Sequence, residues 1–153
     1  MRLVDVLSSD HVVPDLEASD RTSALERMAE TLAVASQLPG DRILAALEQR
    51  ERAGSTGIGR GVAIPHAKMG GLSQVVACFA RAPAGVEFGA VDGGPVHLFL
   101  CLLAPEGKAS VHLKALARAS RVLQDADFRS RLMEAEAGQL FQIIEDRDRS
   151  LTT

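Results

Sequence analysis

The sequence predicts an α/β fold, a single-domain sandwich in which a mixed β-sheet is flanked by helices on both sides. Three observations carry that expectation. Apolar residues recur at helical spacing towards both ends of the chain, and β-rich runs occupy its middle. One of those runs, "PVHLFLCLLAP", is almost continuously apolar, as a strand covered on both faces must be. With 153 residues, 46% apolar and 24% charged, the chain is globular and long enough to bury a real core. Residues 1–153 are therefore read as one domain, with its core at about 3–147.

The elements follow in order. After a short opening segment, "SDRTSALERMAETLAVAS" places Leu25, Met28, Leu32 and Ala35 on one helical face, with Asp20 or Ser19 as N-cap. A second helix runs from Pro39 through "DRILAALEQRERA" and stops at Gly54, a C-terminal glycine. The glycine-rich "STGIGRGVAIPHAK" comes next and includes a short strand, "GVAIPHA". "SQVVACFARA" is a strand ended by Pro83 and Gly85, and "PVHLFLCLLAP" is the centre of the sheet. The remainder is helical. "SVHLKALARASRVLQ" carries Leu113, Leu116, Ala117, Ser120 and Leu123 on one side, and "DADFRSRLMEA" and "AGQLFQIIEDR" follow.

Composition excludes several functions. Five Phe with no Trp or Tyr predict an aliphatic core and argue against a base-stacking surface. A net charge of −3 without any lysine or arginine run argues against nucleic acid. The charge is uneven, however: Arg50, Arg52, Arg60 and Lys68 stand against Glu51 alone between residues 50 and 68, which suits a small anion. No apolar run is long enough for a signal peptide or a bilayer span, so the expectation is a cytoplasmic protein without membrane insertion. Cys78 and Cys101 lie in apolar strands and are read as reduced core residues.

The glycine stretch raises the question of phosphate. It lacks the Gly-Lys pair of a P-loop and leads from a helix into a strand, the reverse of nucleotide-binding order; the spacing of a dinucleotide fingerprint is also missing. Taken alone, its glycines serve either a C-cap and turn or a close approach of backbone to an anion. His66 changes the weighing, because Pro65 presents it from a stiff segment. His112 falls in the first turn of a helix if Ser110 or a neighbour caps it, and a helix N-terminus disfavours a positive imidazole. Arg50 continues the apolar stripe of Ile43 and Leu47; the alternative is a helix-end arginine facing water or pairing with Glu51. His11 and His97 are read as structural. The histidines and cysteines lack any close-spaced ligand pair, so no metal site is expected.

Taken together, "QRERAGSTGIGRGVAIPHAK", "AVDGGPVHLFLCLLAP", "SVHLKALARASRVL" and "LFQIIED" resemble the IIA domain of the fructose/mannitol class of the bacterial phosphoenolpyruvate-dependent sugar phosphotransferase system, and within it the free-standing nitrogen-regulatory branch. The resemblance covers nearly the whole chain. It implies that His66 accepts a phosphoryl group from the phosphohistidine of an HPr-type carrier protein, forming a tele-phosphohistidine. Arg50 then helps to bind the group, and His112 is the second active-site histidine. Ala67 departs from the glycine that many members carry after the Pro-His pair. Such chemistry needs neither cofactor nor metal, only alignment and charge stabilisation around a neutral imidazole. Two outputs are implied, regulation of target proteins in the nitrogen branch or delivery to a IIB domain in sugar transport. A binding module with a lapsed site is the third reading.

Overall fold

The computed structural model describes residues 1–151. The opening segment forms two 3₁₀ turns, Leu3–Asp5 and Ser9–His11, and a two-residue strand, β1 (Val12–Val13). Helix α1 (Arg21–Ser36) begins at Asp20, whose carboxylate accepts from Ser23 N–H at 2.9 Å, while Asp20 N–H donates to Ser23 Oγ at 3.3 Å. This reciprocal box satisfies two of the donors a helix start leaves unpaired. Helix α2 (Gly40–Arg52) follows and gives way to a turn at Gly54, whose φ of +145° suits a residue without Cβ.

Strands β2 (Gly57–Gly59) and β3 (Val62–Ala63) form a hairpin within the glycine stretch, and β4 (His66–Met69) continues from β3. The long strands are β5 (Val76–Val86) and β6 (Val96–Pro105). Helices α3 (Ala109–Leu123), α4 (Ala126–Glu134) and α5 (Leu140–Ser150) complete the chain. The sheet is mixed, in the order β1-β5-β6-β3-β2. β5 and β6 are antiparallel, whereas β3 and β4 both run parallel to β6 in one continuous stagger, Val62 opposite Leu98 and His66 opposite Leu102. Pro65 interrupts that line because it has no N–H to give, yet its carbonyl still accepts from Leu102 N–H at 2.9 Å.

Alternation along β6 divides the core. Phe99, Cys101 and Leu103 face α1 and α2, and Leu98, Leu100 and Leu102 face α3, α4 and α5. Helices thus cover both faces of the sheet, as expected. Cys78 and Cys101 are buried, free, and opposite each other across β5 and β6. Burial and the neighbouring Cys78 thiol push the Cys101 thiol well above its ordinary value. A buried ion pair closes the second layer: Arg118 Nε donates to Asp148 Oδ1 at 2.7 Å, and Asp148 Oδ2 accepts from Val4 N–H at 3.0 Å.

Several details differ from the sequence reading, among them that "GVAIPHA" forms two strands, β3 and β4, rather than one. β5 does not end at Pro83; it continues to Val86 through a register shift after Arg81, where exposed Pro83 owes the ladder no donor. The buried side of α3 is His112, Ala115, Ala119 and Val122, while Leu113 is 65% exposed. Small alanines let that helix lie against the sheet and turn Leu113 outward, while Leu116 packs at the margin of the core and Leu123 is buried as expected. The α3 N-cap is Lys108, with no side-chain cap, and Ser110 lies inside the first turn.

Candidate active site

The last turn of α2 brings Arg50 to the edge of the sheet. Ile43 and Leu47 are buried beneath it, so the same stripe that anchors the helix aims the arginine. Its Nη1–H donates to Gly54 O at 2.8 Å, and its Nε–H donates to His66 Nε2 at 3.2 Å. It therefore turns away from Glu51, contrary to the alternative weighed from sequence.

His66 is set from the other side. Ala67 and Met69 point into the core under α1 and α2, which leaves His66 and Lys68 on the opposite face of β4. The ring is fixed by a 2.7 Å bond between Nδ1 and Ile64 O. A carbonyl only accepts, so Nδ1 carries the proton and Nε2 keeps a lone pair. Burial pushes the His66 pKa below the ordinary imidazole value; the Ile64 bond works upward, Arg50 downward and Glu51 upward.

His112, in the first turn of α3, brings its ring to 5.2 Å from that of His66 between centroids, with the planes inclined at 53°. Its pKa is also lowered, first by burial and then by His66, Lys68 and Arg50. The neutral form expected from sequence on account of the helix N-terminus is thus favoured mainly by burial. A groove of about 540 Å³ opens over these groups, lined by Arg50, His66, Lys68, His112 and Leu113 among others. All three residues singled out from sequence meet here.

The glycines mostly serve other contacts. A Cβ on Gly57 would lie 2.8 Å from Ala90 Cβ, and one on Gly59 would meet Asp92 at 3.3 Å. They let the β2–β3 hairpin fit against the 90–92 segment, whereas Gly54 accepts from Arg50 through its carbonyl. His97 and His11 make local bonds, His97 Nδ1–H to Ala82 O at 3.0 Å and His11 Nδ1 with Ser8 Oγ at 2.9 Å. Among the described residues no group of three or more His, Cys, Asp or Glu could hold a metal ion. No described helix is long and apolar enough to cross a membrane.

Residues 5–147 match the family described as phosphoenolpyruvate-dependent sugar phosphotransferase system, EIIA 2. The chain belongs to the EIIA 2 family. Among relatives of this EIIA 2 chain, the nitrogen regulatory protein of Bradyrhizobium diazoefficiens is 39% identical over 142 residues, 91% of each chain. The fructose-specific EIIABC component of Bacillus subtilis is 34% identical over 152 residues, which are 97% of this chain but only 24% of that protein. The crystal structure of nitrogen regulatory protein IIA-Ntr from Neisseria meningitidis superposes with a TM-score of 0.85 at 33% identity, covering 92% of this chain and 97% of that one.

Sequence reasoning overlooked one pair in this EIIA 2 site. Glu51, beside Arg50, is buried and bonded to Thr56. A Glu and a Thr five residues apart across a helix end match no local spacing rule, so periodicity offered no signal. Lys68, counted only for its charge, stands on the same strand face as His66.

Proposed function

We propose that His66 Nε2 accepts a phosphoryl group from the phosphohistidine of an HPr-type carrier protein. Arg50 and His112 hold the group, and the phosphorylated chain acts in regulation as a nitrogen-type IIA. The observation that carries this reading is the tautomer: with Nδ1–H bonded to Ile64 O, the nucleophilic lone pair is on Nε2, the nitrogen that accepts from the Arg50 guanidinium. In the transfer the Nε2–P bond forms as the N–P bond of the donor breaks, and that bonding pair returns to the donor imidazole. Nδ1 keeps its proton and its bond throughout, which supports the positive charge the ring acquires. The Arg50 Nε–H that now occupies Nε2 moves onto a phosphoryl oxygen, where its charge is needed most. Residues 1–153 act as one unit in this reading, and the reaction takes place in the cytoplasm.

The relatives named as nitrogen regulatory proteins, similar in length to this chain, favour regulation. The 34% identity with a fructose-specific component supports a second reading, delivery of the phosphoryl group to a fructose/mannitol-type IIB domain. Incubation with a phosphorylated HPr-type carrier should give an acid-labile, base-stable label on His66 that His66→Ala abolishes. Undiminished labelling of His66→Ala would refute the assignment. Rapid onward transfer to a IIB domain would replace regulation with transport.

A further inference from the structure

Glu51 follows Arg50 in sequence, but its side chain turns inward and is 3% exposed. A carboxylate so far from water needs donors to stay there. Thr56 supplies them: its N–H reaches the two carboxylate oxygens at 3.2 and 3.1 Å, and its hydroxyl donates to Oε1. The turn between the two residues is closed further by Gly54 N–H to Glu51 O at 3.1 Å. Within that turn lies Gly54 O, the acceptor for Arg50 Nη1–H. On the Cβ side of Gly54 the turn meets open space, with no atom beyond its chain neighbours within 4 Å. The turn is held by the Gly54 N–H to Glu51 O bond and by the Thr56 bonds to the Glu51 carboxylate.

We propose that Glu51 is a positioning residue for phosphoryl transfer: by clamping Thr56 it fixes the turn that carries Gly54 O, and so keeps the Arg50 guanidinium aligned on His66 Nε2. The proposal rests on the reading of His66 as phosphoryl acceptor. It gives Glu51 a second, electrostatic effect. His66 faces Arg50 and Glu51 from α2, Lys68 from its own strand and His112 from α3. Of these groups only Glu51 is an anion, and it favours the imidazolium against Arg50.

Three variants separate the clamp from general stability. Thr56→Val removes the hydroxyl donor, Thr56→Ser retains it, and Glu51→Gln retains an acceptor oxygen while removing the charge. Thr56→Val should slow single-turnover transfer from the phosphorylated carrier by about 10-fold, the scale of a small misplacement of a reacting group. It should also weaken the NMR signal of a protected Arg50 Nε–H in the unphosphorylated protein. Thr56→Ser should restore both. Glu51→Gln should lower the His66 pKa further, a change that lost stability alone does not produce. A folded Thr56→Val protein with wild-type transfer and an intact Arg50 signal would overturn the proposal, as would an unmoved His66 titration in Glu51→Gln. Should Glu51→Gln fail to fold, the Thr56 pair decides the matter. Absence of transfer in the wild-type protein would instead remove the phosphoryl reading, and this role with it.

Discussion

Arg50 uses one guanidinium for two acceptors of different kinds, a backbone carbonyl through Nη1 and an imidazole nitrogen through Nε. A lysine has the charge but not the fork, so Arg50→Lys is not a conservative change here. Its transfer rate should fall about 10-fold or more, roughly 1.4 kcal/mol of lost transition-state stabilisation, and a single-turnover measurement checks this. His112 makes a different prediction. Its pKa is depressed in the unphosphorylated protein, and a phosphoryl dianion on His66 should raise it. Protonation of His112 then favours the phosphorylated state as pH falls, and His112→Ala should flatten that dependence. Titration of the ring by NMR with and without phosphate tests the shift; superimposable curves would remove His112 from the phosphate's surroundings. The same depressed values have a consequence for folding. Below the ordinary imidazole pKa of 6.5, the unfolded chain binds protons that folded His66 and His112 resist. The stability they allow is intact above 6.5 and is lost as pH falls through their lower folded values. Urea titrations at pH 7 and pH 5 should show the decline, reduced in His112→Ala.

At the scale of the elements, the β2–β3 hairpin leaves no room for added bulk at Gly57. Gly57→Ala would place a Cβ 2.8 Å from Ala90 Cβ and 2.9 Å from Ala90 Cα, a backbone atom that cannot rotate away. Overpacking of this kind costs about 1–3 kcal/mol, and thermal melts of the variant should show a matching fall in Tm. From sequence these glycines left open an approach to an anion, and what they approach is the 90–92 segment, a neighbour no local pattern names. The longer elements were easier to read. α1 and α2 declare themselves through Leu25, Met28, Leu32, Ile43 and Leu47, because large apolar residues at helical spacing leave one face to bury. α3 was misread by one position because it has apolar residues on two sides, and the choice between Leu113 and Ala115 is made by the closeness of the sheet. β1 was not read at all, since two valines gain strand character only from Phe79 and Ala80 of β5. The site was legible where sequence itself constrains geometry, at Pro65-His66 and at the end of the α2 stripe. It was illegible at Glu51 and Thr56, whose meeting depends on the turn between them.

At the scale of the whole molecule, the two ends of the chain are joined through one carboxylate. Asp148 is fully buried; it pairs with Arg118 of α3 and caps Val4 N–H of the first turn. Asp148→Ala would strand the Arg118 charge away from water, at a cost of about 3–5 kcal/mol. Denaturant unfolding should register that loss, and hydrogen exchange should show the first turn opening. The sheet itself ends in segments of two residues at β1, three at β2 and four at β4, the last preceded by Pro65. Such margins offer an incoming chain almost no ladder of free amides and carbonyls to extend. Short margins of this kind favour recognition through side chains and helix surfaces over the addition of a strand. A protein that leaves His66 open at the rim of its sheet is in this way shielded from edge-to-edge aggregation.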